Sequence, residues 1–457
     1  MLVTDGTTYV NGFGLGLALL MGLLMLFLPR RHALLPAVAL ICFETMGQRV
    51  MIGGLNFTMI RLLLVFGAVR VLCRGEASLR GAAPLDRAIL WYVLCSIVAY
   101  TLLWKTTDAF VNRLGMAYDA LGLFFLFRVL VRDLDDIRAA LRHLARCVIV
   151  LGACMLVEKS TGHNPFAALG GVEPITVVRD GTLRCQGPFA HPILAGTFGG
   201  AMVPLFLGLK SQGRGDTLLV AGGLAAALAV VVCAGSSGPL VATVVSVLGW
   251  WMFALRRHMR LVRRALFATV VVLHLVMQAP VWFLLGRMTV FDGSTGFHRS
   301  ILIDHTVHHF ADWALVGVHS TGDWGYHMFD VTNTYVVQAV QGGLATLLLF
   351  VLVLVRGFSA AGGAVQRWGD GHRDQQRLAW ALGCALLFHA VNFVSVFYFD
   401  QNIVVWYLVL AMLATCSLLP RPSDAPAVAA GSRPASRERP PRPRRTPLPA
   451  PGLEPTP

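Results

Sequence analysis

The chain has 457 residues; 56% are hydrophobic, only 14% are charged, and the net charge is +14. Mean hydropathy is +0.65, whereas a soluble domain carries about 25% charged residues, so an ordinary water-soluble globular protein is excluded. The composition points to a polytopic membrane protein, expected as an all-α bundle of about 12–13 transmembrane helices.

In chain order, apolar runs that suit membrane helices cover 10–29, 33–47, 54–73, 88–104, 114–131, 146–158, 191–209, 216–234, 237–255, 265–285, 334–355, 378–397 and 401–418. The second is short and extends into the amphipathic "GQRVMIGG"; the sixth can begin earlier, within "IRAALRHLAR". No basic segment precedes the first run and no cleavage motif follows it, so it reads as a retained helix. Of nine cysteines, only Cys185 falls in a long polar connection. That pattern supports neither a disulfide framework nor a CxxC-type metal site.

Basic residues collect in alternate connections: "RRH" at 30–32, "RGEASLR" at 74–80, "RDLDDIRAALRHLAR" at 132–146, "RRHMRLVRR" at 256–264, and 356–377. Short cytoplasmic connections carry such an excess. The opposite set, including the long connections 158–190 and 286–333, therefore faces outward, and the C-terminus is cytoplasmic. One transmembrane domain is expected over 1–419. The Pro/Arg-rich remainder, 420–457, lacks aromatics, cannot bury enough apolar surface to fold and reads as a disordered cytoplasmic tail. Its charge suits anionic lipid heads; without aromatic interleaving it does not suggest nucleic acid. No internal repeat is visible, which counts against transporters built from inverted repeats.

Charges inside spans are expensive and mark structure or function. Arg70 can snorkel to the surface, whereas Arg61 lies deeper and needs a partner, with Glu44 and Asp119 available. In the second long connection, apolar residues from Phe297 to Trp313 recur at three- and four-residue spacings, the mark of an amphipathic helix along the membrane face. His305 and His309 stand at i, i+4 there, but the HExxH carboxylate is missing, and no metal is expected. No Walker motif or nucleophile elbow occurs, and no cofactor is implied.

Each outward connection carries an isolated arginine beside a helix entering the bilayer, Arg184 and Arg299. A guanidinium is permanently charged and forks onto phosphate oxygens. Such a pair suits a substrate whose phosphate lies at head-group level while its tail stays in lipid. Arg179, on the same connection as Arg184, stands outside the motif.

The stretch "LRCQGPFAHPILAGTFGG" carries an Arg-x-x-Gly-x-Phe-x-x-Pro pattern leading into a span. "AGSSGPLVATVVSVLGW" is similar to a Ser-Arg-Gly helix start, "FHRSILIDHTVHHFADWALVGVHS" to a Gly-Arg segment, and "DVTNTYVVQAVQGG" to a His-Asn-x-Tyr, Gly-Gly helix. In this order, over 180–355, they resemble the O-antigen ligase and O-antigen polymerase superfamily of membrane glycosyltransferases. The resemblance implies metal- and cofactor-free transfer of undecaprenyl-diphosphate-linked glycan to a glycan or lipid-linked acceptor. This would take place on the periplasmic side of the bacterial inner membrane, in lipopolysaccharide or exopolysaccharide biosynthesis. Polysaccharide chain-length regulators or export proteins are implied as partners. Arg184 and Arg299 take the place of the family's key arginines; Gln186, His191 and Asn333 would orient sugar or phosphate oxygens. His319, His327 and Asp330 stay open as the base, with His327 and Asp330 also counted as substrate contacts. Two departures matter: Ser236-Ser237-Gly238 lacks the arginine of Ser-Arg-Gly, and Thr332 stands where ligases carry histidine, which favours a polymerase over a ligase. A transporter or flippase of lipid-linked or small anionic solutes, and a non-catalytic envelope-assembly protein, are the rival readings.

Overall fold

Long stretches of Leu, Ala and Val, punctuated by side chains that cap, dictate where helices begin. Asn11 accepts from the Phe13 amide ahead of α1 (Gly12–Phe27), and a short helix α2 (Leu35–Phe43) follows. After a hairpin of β1 (Arg49–Ile52) and β2 (Leu55–Thr58), Thr58 caps α3 (Met59–Cys73). Pro84 opens α4 (Pro84–Trp104), Thr106 caps α5 (Thr107–Leu130), and Asp133 caps α6 (Leu134–Thr161). The Asn, Thr and Asp caps each satisfy an otherwise orphaned backbone amide, and Pro at the first helical position has none to satisfy.

A second hairpin, β3 (Val177–Arg179) and β4 (Thr182–Arg184), leads into α7 (Pro192–Lys210), capped by the His191 ring. There follow α8 (Thr217–Ala234), α9 (Ser237–Trp251), α10 (Met259–Val276), α11 (Gly296–His308) and the single turn α12 (Phe310–Trp313). The order closes with α13 (Thr334–Trp368), α14 (Arg373–Asn392) and α15 (Gln401–Leu418). This computed structural model describes residues 9–45, 47–79, 81–212, 214–287 and 296–420. The tail from 421, and residues 288–295 of the second long connection, lie outside them.

Helix makes up 76% and strand 4%, an all-α bundle. Among the described residues, eight helical stretches are long and apolar enough to cross a membrane, α9 and α10 counting as one. α7 and α15 are almost wholly buried; α7 packs against α8, α9 and α14. That closeness needs glycine: a Cβ on Gly200 would stand 2.4 Å from the Phe388 ring and 2.5 Å from Thr243 Oγ1.

Two runs differ from the sequence expectation. The run 33–47 yields only the nine-residue α2, about 14 Å long at 1.5 Å per residue and too short for a hydrocarbon core of about 30 Å. Its end is fixed by Gln48, whose amide donates to Glu44 Oε1 and Thr45 Oγ1 at 2.7 Å and to the Leu169 carbonyl at 3.0 Å. "GQRVMIGG" supplies the first strand of a hairpin that turns at Gly53–Gly54, so α3 starts only at Met59. A Gly-Gly pair between two short apolar-alternating runs is a hairpin signal that outranks the apolar run.

The helical charges are mostly paired. Arg61 donates to both oxygens of Asp119, at 2.8 and 2.7 Å. Arg70 does not snorkel: it is 1% exposed and grips Glu76 through two bonds of 2.9 Å. Arg128 pairs with Asp86.

α13 is broken. Gly343 has φ +71° and ψ −176°, and a Cβ there would stand 2.4 Å from the Leu315 carbonyl oxygen. The break lets Leu344 N–H donate to the Ala314 carbonyl, while Val318 N–H donates to that of Val340. The connection after α12 is thereby locked onto α13. Gly343→Ala should therefore destabilise the protein by about 2–4 kcal/mol, combining backbone strain with a clash. Gly362→Ala, on the same helix with open space around it, should cost nothing. Thermal unfolding of the detergent-solubilised protein checks both; an unchanged midpoint for Gly343→Ala would remove the lock.

Candidate functional site

The segment after α6 is held by one buried carboxylate. Glu158 Oε1 accepts from the Gln186 amide at 3.0 Å and from Thr176 Oγ1 at 3.2 Å, and its Oε2 accepts from the Gly187 amide at 2.9 Å. Cys185 N–H donates to the Cys233 carbonyl at 2.9 Å, tying β4 to the end of α8. Asn164 Nδ2 donates to the Gly187 carbonyl at 2.8 Å. Backbone fixed this densely leaves Arg184 little freedom of direction.

The β3–β4 register pairs Val177 with Arg184 and Arg179 with Thr182. Cross-strand partners share a face, as do residues two apart, so Arg179 and Arg184 point the same way. Both line a cavity of about 730 Å³ that also takes in His191, Ser236, Ser237, His298, Arg299, Asp330 and Thr332, with Val396, Phe397 and Phe399 as an apolar wall.

Arg184 runs along Gly235 and its Nη2 donates to Ser236 Oγ at 2.7 Å. Arg299 comes from α11, and a Cβ on Gly238 would stand 3.8 Å from its Nη1. Both guanidinium groups thus lie at the start of α9, where the helix dipole already favours negative charge. α11 is steadied by Ser300 Oγ donating to the Trp282 carbonyl at 3.1 Å and Trp282 Nε1 donating to Asp304 Oδ1 at 3.1 Å. A small separate core of Leu302, Trp313, Trp324, Met328, Val336 and Val340 seats it on α13.

The cavity is underneutralised. Among the described residues no carboxylate forms an ion pair with Arg184 or Arg299; the Nε of each, and Thr332 Oγ1, are buried without a hydrogen-bond partner. Arg179 has only a 3.7 Å approach to Asp180. Burial, and secondarily the Arg179 charge, lower the Arg299 pKa to about 10 and push that of Arg184 down from its ordinary value. The His191 ring is lowered by burial, then by Arg184 and Arg179, against an opposing pull from Asp330. Buried donors without acceptors are costly, and the guanidinium groups that carry them line a cavity roomy enough for an oxyanion.

Four of the residues singled out from sequence are brought together: Arg184, Arg299, His191 and Asp330. Three are not. Gln186 is buried behind β4. Asn333 is the cap of α13, its Oδ1 accepting from the Tyr335 and Val336 amides at 2.9 and 3.2 Å. His327, at φ +59°, lies against Tyr326 and Phe329. His319 packs on Trp104 instead. His309 bonds Asp312 at 2.8 Å and stacks on Trp324, which gives it a structural task. Arg179, set aside on sequence as lying outside the motif, lines the cavity; the signal was present in "VVRDGTLR", where Asp-Gly between alternating residues marks a hairpin.

The electrostatics give a pH dependence. A bound phosphodiester, whose own charge is fixed in this range, offsets the arginine charges and raises the His191 pKa. Binding then takes up a proton, so affinity for a sugar diphosphate diester should rise as pH falls through the histidine range. Calorimetry across pH should show this in the wild type and a flat profile in His191→Gln; a flat wild-type profile would remove His191 from the site. No family model and no curated protein matches the chain, so the cavity must be read from its own chemistry.

Proposed function

We propose that the protein is a membrane glycosyltransferase that polymerises or transfers lipid-diphosphate-linked oligosaccharide repeats. The observation that carries this reading is the cavity itself: Arg179, Arg184 and Arg299 line it together, and among the described residues neither Arg184 nor Arg299 is paired with a carboxylate. A diphosphate is the doubly charged, oxygen-rich group such a constellation fits.

The surroundings support a lipid-borne substrate. Exposed side chains on the helices are largely apolar, among them Phe27, Leu72, Trp91, Val232, Trp251 and Phe267, while Arg70, Arg113 and Arg128 lie inside. A surface of this kind suits lipid. The cavity is lined by His191 and Ser237 at the starts of α7 and α9, by Thr332 just before α13 and by Ser395 just after α14, the ends away from Lys210, Trp251, Arg367 and Arg373. With basic residues cytoplasmic, the cavity opens on the periplasmic side of a bacterial inner membrane.

In the reaction, an acceptor hydroxyl oxygen bonds to the anomeric carbon of the donor as the bond to the diphosphate oxygen breaks. The hydroxyl proton passes to Asp330, and the electron pair leaves with the lipid diphosphate. The three arginines hold the charge growing there, which is electrostatic preorganisation. Arg179 brings into the cavity the charge that Ser236-Ser237-Gly238 lacks. The absent histidine at Thr332 favours a polymerase of surface or exopolysaccharide repeats over a ligase. The pairing of Arg61 with Asp119 and of Arg70 with Glu76 leaves these helical charges bound as structure, which weighs against transport.

Arg184→Ala and Arg299→Ala should each cut turnover by about 10²–10³-fold, with Lys recovering part because it keeps charge and loses the fork. Arg179→Ala should also lose activity, to a smaller extent. A full chain-length distribution in both Arg184→Ala and Arg299→Ala strains, at wild-type protein levels, would reduce these residues to lipid anchors. Reporter fusions after Gly171 and Gly322 should report the periplasm, and one after Arg264 the cytoplasm. A cytoplasmic signal from either of the first two would put the cavity in the wrong compartment.

A further inference from the structure

Arg61, Arg70 and Arg128 each have a carboxylate partner; Arg113, on α5, does not. It is 5% exposed, and among the described residues no acid forms an ion pair with it. Its Nη2 donates to Gln341 Oε1 at 2.8 Å, its Nη1 meets only the Met116 sulfur at 3.3 Å, and its Nε is buried without a partner. Its Cζ sits 3.8 Å over the Tyr100 ring centre, a contact that orients the guanidinium but adds no counter-charge.

Arg113 lines a second cavity, of about 110 Å³, well above the roughly 10–15 Å³ that a single water needs. Its walls include Tyr92, Asp119, Gln338, Phe397 and Trp406. Asp119 is held by Arg61 through two bonds, so the unneutralised charge here is that of Arg113. Tyr92 OH donates to Gln338 Oε1 at 2.8 Å, which leaves the amide nitrogen of Gln338 for a ligand. Phe397 also lines the arginine cavity, so the two chambers share a wall.

A buried cation without a counter-ion calls for an anionic oxygen. Aromatic rings beside it suit the apolar face of a sugar ring. We infer that this chamber is a subsite for an anionic sugar residue, one carrying a carboxylate, whose carboxylate pairs with Arg113. Its assignment to the acceptor glycan rests on the transferase reading; the pairing of a sugar carboxylate with Arg113 does not. Lipid phosphate has the same charge and oxygen chemistry and is separated by experiment.

The test uses full-length protein in nanodiscs of zwitterionic lipid, titrated with a glucuronate-ended oligosaccharide, its neutral glucose-ended analogue, and inorganic phosphate. The uronate should bind at least 10-fold more tightly than the neutral sugar. Arg113→Gln should abolish that preference, Arg113→Lys should keep part of it, and Arg184→Ala should leave it intact. A second readout needs no variant: the uronate, and not the neutral sugar, should raise the wild-type unfolding temperature. Equal binding of the two sugars by wild type, or an unchanged preference in Arg113→Gln, overturns the inference. Loss of uronate binding in discs of anionic phospholipid, restored in zwitterionic discs containing the same salt, assigns the chamber to lipid phosphate and also overturns it. A protein that binds uronate through Arg113 but transfers no glycan would sink the transferase reading and leave this pairing standing.

Discussion

Repulsion among Arg179, Arg184 and Arg299 is the constraint around which the rest of the structure is arranged. Burial removes the water that would screen like charges from one another, which makes their repulsion costly. Flexible loops would relieve it by turning the arginines outward to water. These loops cannot turn, because their backbones are pinned: by Glu158 beneath Gln186 and Gly187, by the Cys233 carbonyl beneath Cys185, and by the break at Gly343 that locks the segment after α12. The cavity therefore holds unrelieved positive charge before any ligand arrives, which is what preorganisation requires.

The pins are themselves made affordable by what lies under them. Glu158 sits in the last turn of α6, which packs against α7 and α8; three donors share the charge of its carboxylate. Gln401, at the start of α15, donates to the Glu44 and Pro188 carbonyls at 3.2 Å, and Asn402 donates to that of Leu194 at 3.1 Å. Asn392 at the end of α14 reaches Thr197 at 2.9 Å. These buried polar groups lie where α7, α14 and α15 begin or end, close to the cavity.

How much of this could be read from sequence depended on the range of the determining interaction. Apolar runs and the alternation of basic connections are local properties, and they located most helices and the end at which the cavity lies. The meeting of Arg184 and Arg299 was inferred from the ligand they would share, and they do line one cavity. Readings failed where a local signal competed with a stronger one. Gly53–Gly54 turned the expected extension of the 33–47 run and the first residues of the 54–73 run into a hairpin, and Asn333 ahead of Thr334 served α13 as a cap, a task for which asparagine is among the best residues. The Asp180–Gly181 turn that aligns Arg179 with Arg184 was equally local and was passed over. Glu158 could not have been found this way: its partners Gln186 and Gly187 lie 28 and 29 residues on, and nothing in "LVEKSTG" distinguishes a staple from a membrane-edge charge.

Charge in this protein is sorted by task. Arginines that hold helices together have a carboxylate: Arg61 with Asp119, Arg70 with Glu76, Arg128 with Asp86. Such pairs cost desolvation and repay it only when both partners are well bonded, which is how they are found. Among the described residues, Arg184 and Arg299 in the larger cavity and Arg113 in the smaller one have no such partner. The separation has a physical reason. A guanidinium already engaged by a carboxylate offers a diphosphate little, because binding would first have to break the pair. Keeping the cavity arginines free demands that the acids nearby be few and weakly placed, and Asp180 at 3.7 Å from Arg179 fits that demand. Asp330 stands apart from the guanidinium groups, its residue held through the His298 contact to its backbone carbonyl at 3.1 Å. A carboxylate at the cavity wall that is not consumed by an arginine keeps its oxygens available for a proton.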